Sequence, residues 1–319
     1  MPPVRIDQSL PMLLITEDQF RHIANVDDVV RAIRAAFTRD FSSTLRMPPR
    51  TSMQMNGAVL LLMPAYDSAL NAAGVKLVSV SEKSGVQAVY ELLNPATGTP
   101  VARIEANYLT DLRTAATSAV ATDLLARSDA NTLGVFGSGR QAAAHFAVLL
   151  RVRRFQRFLV CGSGRSALSS FCEKMKADHG IDVEPVTAEI CARDSDVICT
   201  CTTARAPLFD GRWLRPGTHL NLVGAFQPDT REVDDQTVQR ARVVVDTYAG
   251  AMAEAGDLLI PIRKGLIDHC HVIADLHEIA SGKKAGRTRT DDITLFKSVG
   301  CALEDLVTAL LVYEQCQCD

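Results

Sequence analysis

The chain has 319 residues, of which 47% are hydrophobic and 22% charged, a composition typical of globular domains. A formal net charge of −3 argues against a nucleic acid or an anionic membrane as partner. No apolar run reaches the roughly 20 residues that span a bilayer. The start lacks the pattern of a secretory signal, and nine scattered cysteines fit a reducing compartment, so the sequence predicts a cytoplasmic protein.

The first third of the sequence combines a helical segment with a series of strands. Residues 13–41 are predicted to be helical after a short strand, because hydrophobic side chains recur at helical spacing: Val26, Val29, Val30, Ile33 and Phe37. Short hydrophobic runs bounded by turn residues then predict strands at residues 57–63, 74–80, 86–93 and 100–104. These hairpins favour an antiparallel or mixed sheet, and residues 108–127 predict one helix.

Residues 132–146 have the order strand, glycine turn, helix, which is the context of a dinucleotide-binding loop. Gly137 suits the tight turn, Gly139 lets the backbone approach a pyrophosphate, and Ala142 stands where a third glycine often sits. Amide N–H groups at the start of the helix would hold the phosphates. The cofactor-binding residues predicted in this loop are Gly137, Ser138, Gly139, Arg140 and Gln141.

From residue 132 onward strands and helices alternate, which is the pattern of a Rossmann-type, doubly wound α/β domain. The predicted strands are residues 132–136, 157–161, 183–186, 196–200, 219–223 and 242–246. A final helix at residues 303–313 has no strand after it and is assigned to the first domain. The sequence thus predicts an α+β domain of residues 1–118 and 303–319, and a dinucleotide-binding domain of residues 119–302.

The second strand of this domain is followed by another glycine turn, Gly162-Ser-Gly-Arg165. In a dinucleotide fold an Asp or Glu at this point binds the adenosine ribose and repels a 2′-phosphate. That carboxylate is missing here, while Ser163 and Arg165 offer a hydroxyl and a guanidinium to a phosphate. The pattern favours NADP(H) over NAD(H); the alternative is an ordinary turn followed by a solvated arginine.

An ordered set of short motifs covers nearly the whole length and resembles the ornithine cyclodeaminase/mu-crystallin family. The motifs are Pro-Pro-Arg50, Gly74-Val-Lys76, Asn94-Pro-x-Thr-Gly98, Leu112-Arg-Thr-Ala-Ala116, Gly137-Ser-Gly-Arg-Gln-Ala142, Val223-Gly-Ala225, Pro228-Asp-Thr-Arg-Glu-Val-Asp234 and Phe296-Lys-Ser-Val-Gly300. The resemblance implies a homodimer whose N-terminal domains pair. It also implies NAD(P)-dependent redox chemistry at a carbon–nitrogen bond next to a carboxylate.

The Pro-Asp-x-Arg-Glu form around Asp229 is similar to the ketimine-reductase branch of the family. That likeness implies reduction of Δ1-pyrroline-2-carboxylate to L-proline, or of Δ1-piperideine-2-carboxylate to L-pipecolate. Three alternatives remain open at this point. They are an ornithine cyclodeaminase that recycles NAD+, an amino-acid dehydrogenase, and a non-catalytic binding protein of the mu-crystallin kind.

The substrate of such an enzyme, a small cyclic imino acid or an amino acid, needs a fixed cation for its carboxylate. By the resemblance, Arg113 matches the carboxylate-binding arginine and Arg50 a second cation, and Thr114 adds a hydroxyl. Lys76 interrupts an apolar strand, so an inward-facing ammonium would bind the carboxylate or relay a proton, whereas an outward-facing one would be solvated. Asp229 is assigned to pair with the substrate nitrogen, against the alternative of a turn-forming Pro-Asp.

The remaining predicted site residues lie at strand ends of the second domain. Thr202, Thr203 and Val223 are expected to line the dinucleotide, and Lys297, Ser298 and Gly300 to lie near the nicotinamide and substrate. The seven histidines and the Cys-x-Cys pairs fit no zinc spacing, so no metal site is expected. Three of the histidines are assigned to a polar linker: His269, His271 and His277.

Overall fold

The computed structural model of the protein describes residues 12–81 and 83–318. The chain divides into two compact units. Unit 1 consists of Met1–Thr114 and Cys301–Asp319, and unit 2 consists of Ala115–Gly300. Within the described residues, no helix has the length and apolarity needed to cross a membrane.

Unit 1 is built on a mixed sheet. Its strands are β1 (Leu13–Ile15), β2 (Leu45–Arg46), β3 (Thr51–Met55), β4 (Ala58–Asp67), β5 (Ala72–Ser81), β6 (Gly85–Leu93) and β7 (Pro100–Glu105). They lie in the order β1-β7-β6-β5-β4-β2, with β3 also paired to β4. The β1–β7 pair is parallel and the other pairs are antiparallel. The hairpin series predicted from the sequence is therefore confirmed.

Two helices precede these hairpins: α1 (Glu17–Ile23) and α2 (Val26–Thr38). The helical segment predicted over residues 13–41 is thus divided, because Asn25 starts a new helix. Its side chain accepts hydrogen bonds from the backbone N–H groups of Asp27 and Asp28, while its own backbone is extended. The helical spacing was nevertheless correct, since α2 buries Val29, Val30, Ile33 and Phe37.

Helix α3 (Asn107–Leu125) follows β7, and its small side chains are buried, among them Ala115, Ala116 and Ala119. The last helix, α11 (Ala302–Cys318), belongs to unit 1. It packs against α2 and the central strands β4, β5 and β6. Because α11 is apolar on nearly all sides, it is buried over most of its length.

Unit 2 is a doubly wound α/β fold, as predicted. Its strands are β8 (Thr132–Phe136), β9 (Arg157–Cys161), β10 (Val183–Pro185), β11 (Val197–Thr200), β12 (His219–Leu222), β13 (Ala241–Val245), β14 (Val272–Asp275) and β15 (Ile293–Lys297). Its further helices are α4 (Arg140–Leu149), α5 (Arg165–His179), α6 (Ala188–Asp194), α7 (Asp235–Arg240), α8 (Tyr248–Glu254), α9 (Gly256–Arg263) and α10 (Leu276–Ala280). The strand pairs are parallel, in the order β10-β9-β8-β11-β12-β15-β13-β14.

Two strands of this sheet were not predicted from the sequence. β15 runs between β12 and β13 although it comes last in the chain, and β14 forms the edge beyond β13. The polar linker assigned to three histidines is wrong: His269–His271 form a helical turn that leads into β14, and His277 lies in α10. The strand order reverses between β8 and β11, and ligands of such sheets bind beyond the carboxyl ends of the strands at that point.

Candidate active site

The first glycine turn joins β8 to α4 in a backbone conformation that requires glycine. Gly137 has a φ of +110°, and a Cβ atom there would lie 2.4 Å from the carbonyl oxygen of Cys201. Its own N–H donates to the carbonyl oxygen of Cys161 at 2.7 Å. The turn is thereby fixed between the ends of β9 and β11.

Gly139 immediately precedes α4 and leaves space at the start of this helix. A Cβ atom at Gly139 would meet no other atom within 4 Å. The first N–H groups of a helix have no acceptor within the helix, and they favour a bound anion. Ser138 is half-buried, Arg140 is exposed, and Ala142 is buried. The start of α4 thus has open space for the predicted pyrophosphate, and its assignment to residues 137–141 stays a prediction.

The second glycine turn, between β9 and α5, has a similar construction. Gly164 has a φ of +86° and caps α5 without a side chain. Ser163 and Arg165 are both exposed, and Arg165 is the first residue of α5. A guanidinium, a hydroxyl and a helix N-terminus therefore lie together at this turn.

The carboxyl ends of β11 and β12 are held together by a residue that sequence analysis did not single out, Glu232. Its buried carboxylate accepts hydrogen bonds from Thr200 Oγ1 at 2.6 Å, from Thr202 N and Oγ1 at 2.9 and 2.8 Å, and from Gly224 N at 2.7 Å. Burial raises the pKa of Glu232, although the charge of Lys297 opposes that shift. Of the predicted dinucleotide ligands nearby, Thr202 is thus fixed by Glu232, Thr203 is exposed and Val223 is half-buried.

Lys297 is buried at the end of β15, where its side chain contacts the loop that follows β12. Its Nζ lies 2.9 Å from Asp257 Oδ2 and donates to the carbonyl oxygen of Ala225 at 2.5 Å. The other oxygen of Asp257 accepts from the backbone N–H of Glu232 at 2.7 Å. Lys297 therefore positions the loop after β12 through an internal ion pair.

The loop after β15 is held by a single carboxylate, Asp246, at the end of β13. Its Oδ2 accepts from Ser298 Oγ at 3.0 Å and from the N–H groups of Val299 and Gly300 at 2.7 Å each. Gly300 has a φ of +82°, which glycine adopts without strain. The predicted residues Ser298 and Gly300 are thereby brought together, with Asp246 as a positioning residue.

Asp229 stands apart from these buried networks. Its side chain is 84% exposed, and its Oδ1 lies 2.7 Å from Arg263 Nη1. The structure of unit 2 thus places Asp229 in a surface ion pair, and its assignment to the substrate nitrogen stays a prediction.

In unit 1, Lys76 faces inward. It shares one face of β5 with the buried Ala72, Gly74 and Val78, and is itself 1% exposed. Its Nζ donates to Asp305 Oδ1 at 2.7 Å. Burial, followed by the neighbouring Arg113 guanidinium, lowers the pKa of Lys76 to about 8, while Asp305 acts in the opposite direction. A lysine with this pKa can release its proton at mildly alkaline pH.

Arg113, on α3, is bound by two carboxylates of α11. Its Nη1 donates to Glu304 Oε2 at 2.5 Å, and its Nε lies 2.9 Å from Asp305 Oδ1. Burial alone would lower the pKa of Arg113, but Asp305 and Glu304 outweigh it and raise that pKa. We call Lys76, Arg113, Glu304 and Asp305 the charge cluster; its two cations and two carboxylates balance.

The other residues predicted near the substrate carboxylate have separate positions. Arg50 is half-buried and immediately precedes β3. Thr114 follows Arg113 on α3, and its hydroxyl donates to the carbonyl oxygen of Thr110 at 2.7 Å. Its hydroxyl proton is therefore engaged within the helix, which leaves the oxygen as an acceptor.

A buried tyrosine completes the surroundings of Lys76. Tyr90 lies directly opposite Lys76 on β6, and its Oη approaches Gly74, where a Cβ atom would come within 2.3 Å of it. Burial, reinforced by the charge of Asp305, raises the pKa of Tyr90 well above its usual value. Within residues 12–81 and 83–318, Tyr90 Oη and Asp305 Oδ2 have no hydrogen-bond partner. The glycine of the Gly74-Val-Lys76 motif is thus explained by the space that Tyr90 occupies.

Sequence analysis missed both carboxylates of the charge cluster, although a signal was present. Glu304 and Asp305 are consecutive near the start of a helix that continues with mainly apolar residues to Tyr313. Fully buried acidic residues occur almost solely where a partner neutralises them. Their partners could not be read from the sequence because Arg113 and Lys76 lie 191 and 229 positions away. Among the described residues, no three metal-ligating side chains come together in a metal-binding group.

Comparisons with known proteins agree with this architecture. A model of the ornithine cyclodeaminase/mu-crystallin family matches residues 11–318. A Δ1-pyrroline-2-carboxylate reductase of Bacillus cereus is 34% identical over 317 residues, which cover 95% of this chain and 96% of the relative.

Two solved structures extend the comparison. The Δ1-pyrroline-2-carboxylate reductase of Thermococcus litoralis, in complex with NADH and L-proline, has a TM-score of 0.93 at 36% identity, covering 96% of this chain and 98% of that one. An archaeal alanine dehydrogenase dimer with bound NAD has a TM-score of 0.91 at 30% identity, covering 96% of each chain. The resemblance carried by the motifs is therefore confirmed: this chain belongs to the ornithine cyclodeaminase/mu-crystallin family.

Proposed function

We propose that this chain is an NAD(P)H-dependent reductase of cyclic ketimines. It converts Δ1-pyrroline-2-carboxylate to L-proline and accepts Δ1-piperideine-2-carboxylate, which gives L-pipecolate. The observation that carries this proposal is the inward-facing Lys76 beside Arg113, a proton donor next to a carboxylate-binding cation. The likeness to a reductase whose structure holds NADH and L-proline supports it.

The residues of unit 1 supply binding and the proton. Arg113 and Arg50 hold the carboxylate of the substrate, and the oxygen of Thr114 adds a polar contact. The Lys76 ammonium donates a proton to the imine nitrogen, which makes the adjacent ring carbon electrophilic. Reduced nicotinamide, when bound, supplies the hydride that adds to this carbon. One proton on nitrogen and one hydride on carbon turn the C=N bond into CH–NH, and Lys76 regains its proton from water.

The residues of unit 2 bind the dinucleotide and shape its surroundings. The cradle of residues 137–141 would hold the pyrophosphate, with Thr202, Thr203 and Val223 along the strand ends. Ser163 and Arg165 would hold a 2′-phosphate, which favours NADP(H) over NAD(H). Two carboxylates keep these loops in place. Asp257 contacts Lys297 and the backbone of Glu232, and Asp246 accepts a hydrogen bond from Ser298.

The remaining assignments concern the whole protein. Residues 1–118 and 303–319 are proposed as the substrate-binding and dimerisation domain of a homodimer, and residues 119–302 as the dinucleotide domain. The archaeal alanine dehydrogenase, itself a dimer, supports the oligomeric state. A reducing compartment such as the cytoplasm fits the free cysteines of the described chain.

The test is an assay of the purified enzyme with both ketimines, each with NADPH and with NADH. We expect loss of reduced nicotinamide and formation of proline or pipecolate, with the higher kcat/KM for NADPH. Formation of ammonia and proline from ornithine with catalytic NAD+ and no net NADH would instead show a cyclodeaminase. Pyruvate and ammonia as preferred substrates would show an alanine dehydrogenase, and tight ligand binding without turnover a binding protein.

A further inference from the structure

We propose that Asp305 is a positioning residue for the reduction, which holds the Lys76 ammonium charged and in place and so sets the upper pH limit of activity. This inference rests on the proposed function, because it assigns Lys76 as the proton donor. It concerns a residue that touches neither substrate nor cofactor and acts through Lys76.

The geometry shows Asp305 as the common partner of both cations. Its Oδ1 accepts a hydrogen bond from Lys76 Nζ at 2.7 Å and lies 2.9 Å from Arg113 Nε. All three side chains are at least nine-tenths buried, so this carboxylate fixes the direction of the Lys76 ammonium without competition from bulk water. On the surface, water would compete for the Lys76 ammonium and screen its charge, so a carboxylate there would hold it much less firmly.

The charged and titratable groups around Lys76 come from three elements. Tyr90 faces it from β6, Arg113 from α3, and Glu304 and Asp305 from α11. On β4 the residue opposite Lys76 is Met63, which carries no charge. Asp305 is the carboxylate that contacts Lys76, whereas Glu304 contacts Arg113.

The direction of the effect follows from these contacts. Burial and the Arg113 charge lower the pKa of Lys76 to about 8, and Asp305 limits that fall. The proton-donating form exists below this pKa, so activity declines as the pH rises through it. Without the Asp305 charge the pKa falls further, and the decline begins at a lower pH. A neighbouring opposite charge typically shifts a pKa by about 1–3 units.

Glu304 offers a matched control on the same helix. Glu304→Gln and Asp305→Asn each remove one buried negative charge. The carboxylate lost in Glu304→Gln is the partner of Arg113, whose guanidinium stays protonated at every assay pH. We therefore expect Glu304→Gln to raise KM and to displace the alkaline decline much less than Asp305→Asn.

The experiment measures kcat and kcat/KM against pH for Δ1-pyrroline-2-carboxylate, in the full-length wild type and four variants. In Asp305→Asn the alkaline decline of kcat/KM should move to lower pH by about 1–3 units. Asp305→Glu, which restores the charge, should return the decline toward that of the wild type. Lys76→Arg, whose charge does not titrate, should be slow and show no alkaline decline. Thermal unfolding and NADPH binding are recorded for each variant.

A second readout does not depend on turnover. Heteronuclear NMR of the lysine Nζ groups, with Lys76→Arg for assignment, follows the titration of Lys76 in the wild type and in Asp305→Asn. An Asp305→Asn protein that loses kcat or thermal stability, but whose Lys76 titrates and whose activity declines at the wild-type pH, overturns the inference.

If the wild type reduces neither ketimine, the proposed function fails, and the NMR titration still decides whether Asp305 holds the Lys76 charge. If Asp305→Asn does not fold, Asp305→Glu and Glu304→Gln decide, because both keep a carboxylate at position 305. A decline displaced by about 1–3 units in either of them overturns the inference.

Discussion

Arg113 has two functions at one position, and they must be separated in any experiment. It is the proposed ligand of the substrate carboxylate. It also forms ion pairs with Glu304 and with Asp305 inside unit 1, the second of which it shares with Lys76. Removing one partner of a buried ion pair costs about 3–5 kcal/mol, because the other charge is left buried without compensation. Loss of activity in an alanine variant would therefore mix lost binding with lost stability.

For Arg113 we predict different results for two substitutions. Arg113→Lys keeps the charge but lacks the planar fork, so the protein should fold while KM for the ketimine rises more than kcat falls. Arg113→Ala should lower the free energy of unfolding by about 3–5 kcal/mol in urea denaturation. An unchanged KM in Arg113→Lys would remove Arg113 from the substrate site.

The two glycines of the first turn give a second prediction at this scale, because a methyl group meets different surroundings in each. Gly137→Ala places a Cβ against Cys201 in a left-handed conformation, and should destabilise the protein by about 1–3 kcal/mol. Gly139→Ala fills only open space, so stability should be kept while dinucleotide affinity falls. Thermal unfolding and NADPH titration of both variants measure the two effects. Unaltered NADPH affinity in Gly139→Ala would contradict the pyrophosphate assignment.

At the scale of elements, the two βα turns of unit 2 share a construction and differ in charge. Both α4 and α5 begin after a glycine that provides no side-chain cap. The turn after β9 adds Ser163 and Arg165 in exposed positions where many dinucleotide folds place a carboxylate. The predicted preference for NADP(H) over NAD(H) therefore depends on this single turn.

Arg165→Ala should weaken NADPH binding far more than NADH binding. The guanidinium is proposed to contact the phosphate that NADH lacks, and a charge-assisted hydrogen bond is worth about 1.5–3 kcal/mol. The dissociation constants of the two reduced dinucleotides, measured for the wild type and the variant, give the comparison. An equal loss for both would refute the phosphate assignment.

The elements that sequence analysis found are those specified by local chemistry. A glycine turn, an apolar run of strand length and hydrophobic side chains at helical spacing are each visible within a short stretch of sequence, and so Gly137, β8 and α2 could be predicted. β15 could not be placed, because its position between β12 and β13 depends on pairing with strands far away in the chain. Asp305 was missed for the same reason, since the partner that makes its burial tolerable is on β5.

For the whole molecule, two buried histidines predict that the free energy of unfolding falls at acidic pH. His145 is held between Ser118 and the carbonyl oxygen of Gln141, and burial lowers its pKa from 6.5 to about 4. Burial, aided by the charge of Arg287, lowers the pKa of His219 to about 3. Both are neutral when folded, whereas the unfolded chain binds protons below about pH 6.5. The stability that they contribute is present above that pH and is lost as the pH falls toward their folded-state values.

Urea unfolding between about pH 6.5 and 5, above the range of most carboxylates, should show this loss as a slope of up to about 1.4 kcal/mol per pH unit for each histidine. His145→Gln should be less stable at neutral pH and show a shallower slope, because one proton uptake is removed. A slope equal to that of the wild type would mean that His145 does not contribute.

The position of α11 has a consequence for synthesis and folding. Lys76 and Arg113 are translated long before Glu304 and Asp305, which neutralise them. β15 too is translated after every other strand of its sheet, and until it is made β12 and β13 have no strand to join them. A nascent chain therefore carries two unneutralised cations and an interrupted sheet until β15 and α11 have been synthesised. Neither unit can complete its fold before these two segments are available, and we expect their docking to be the closing step of folding.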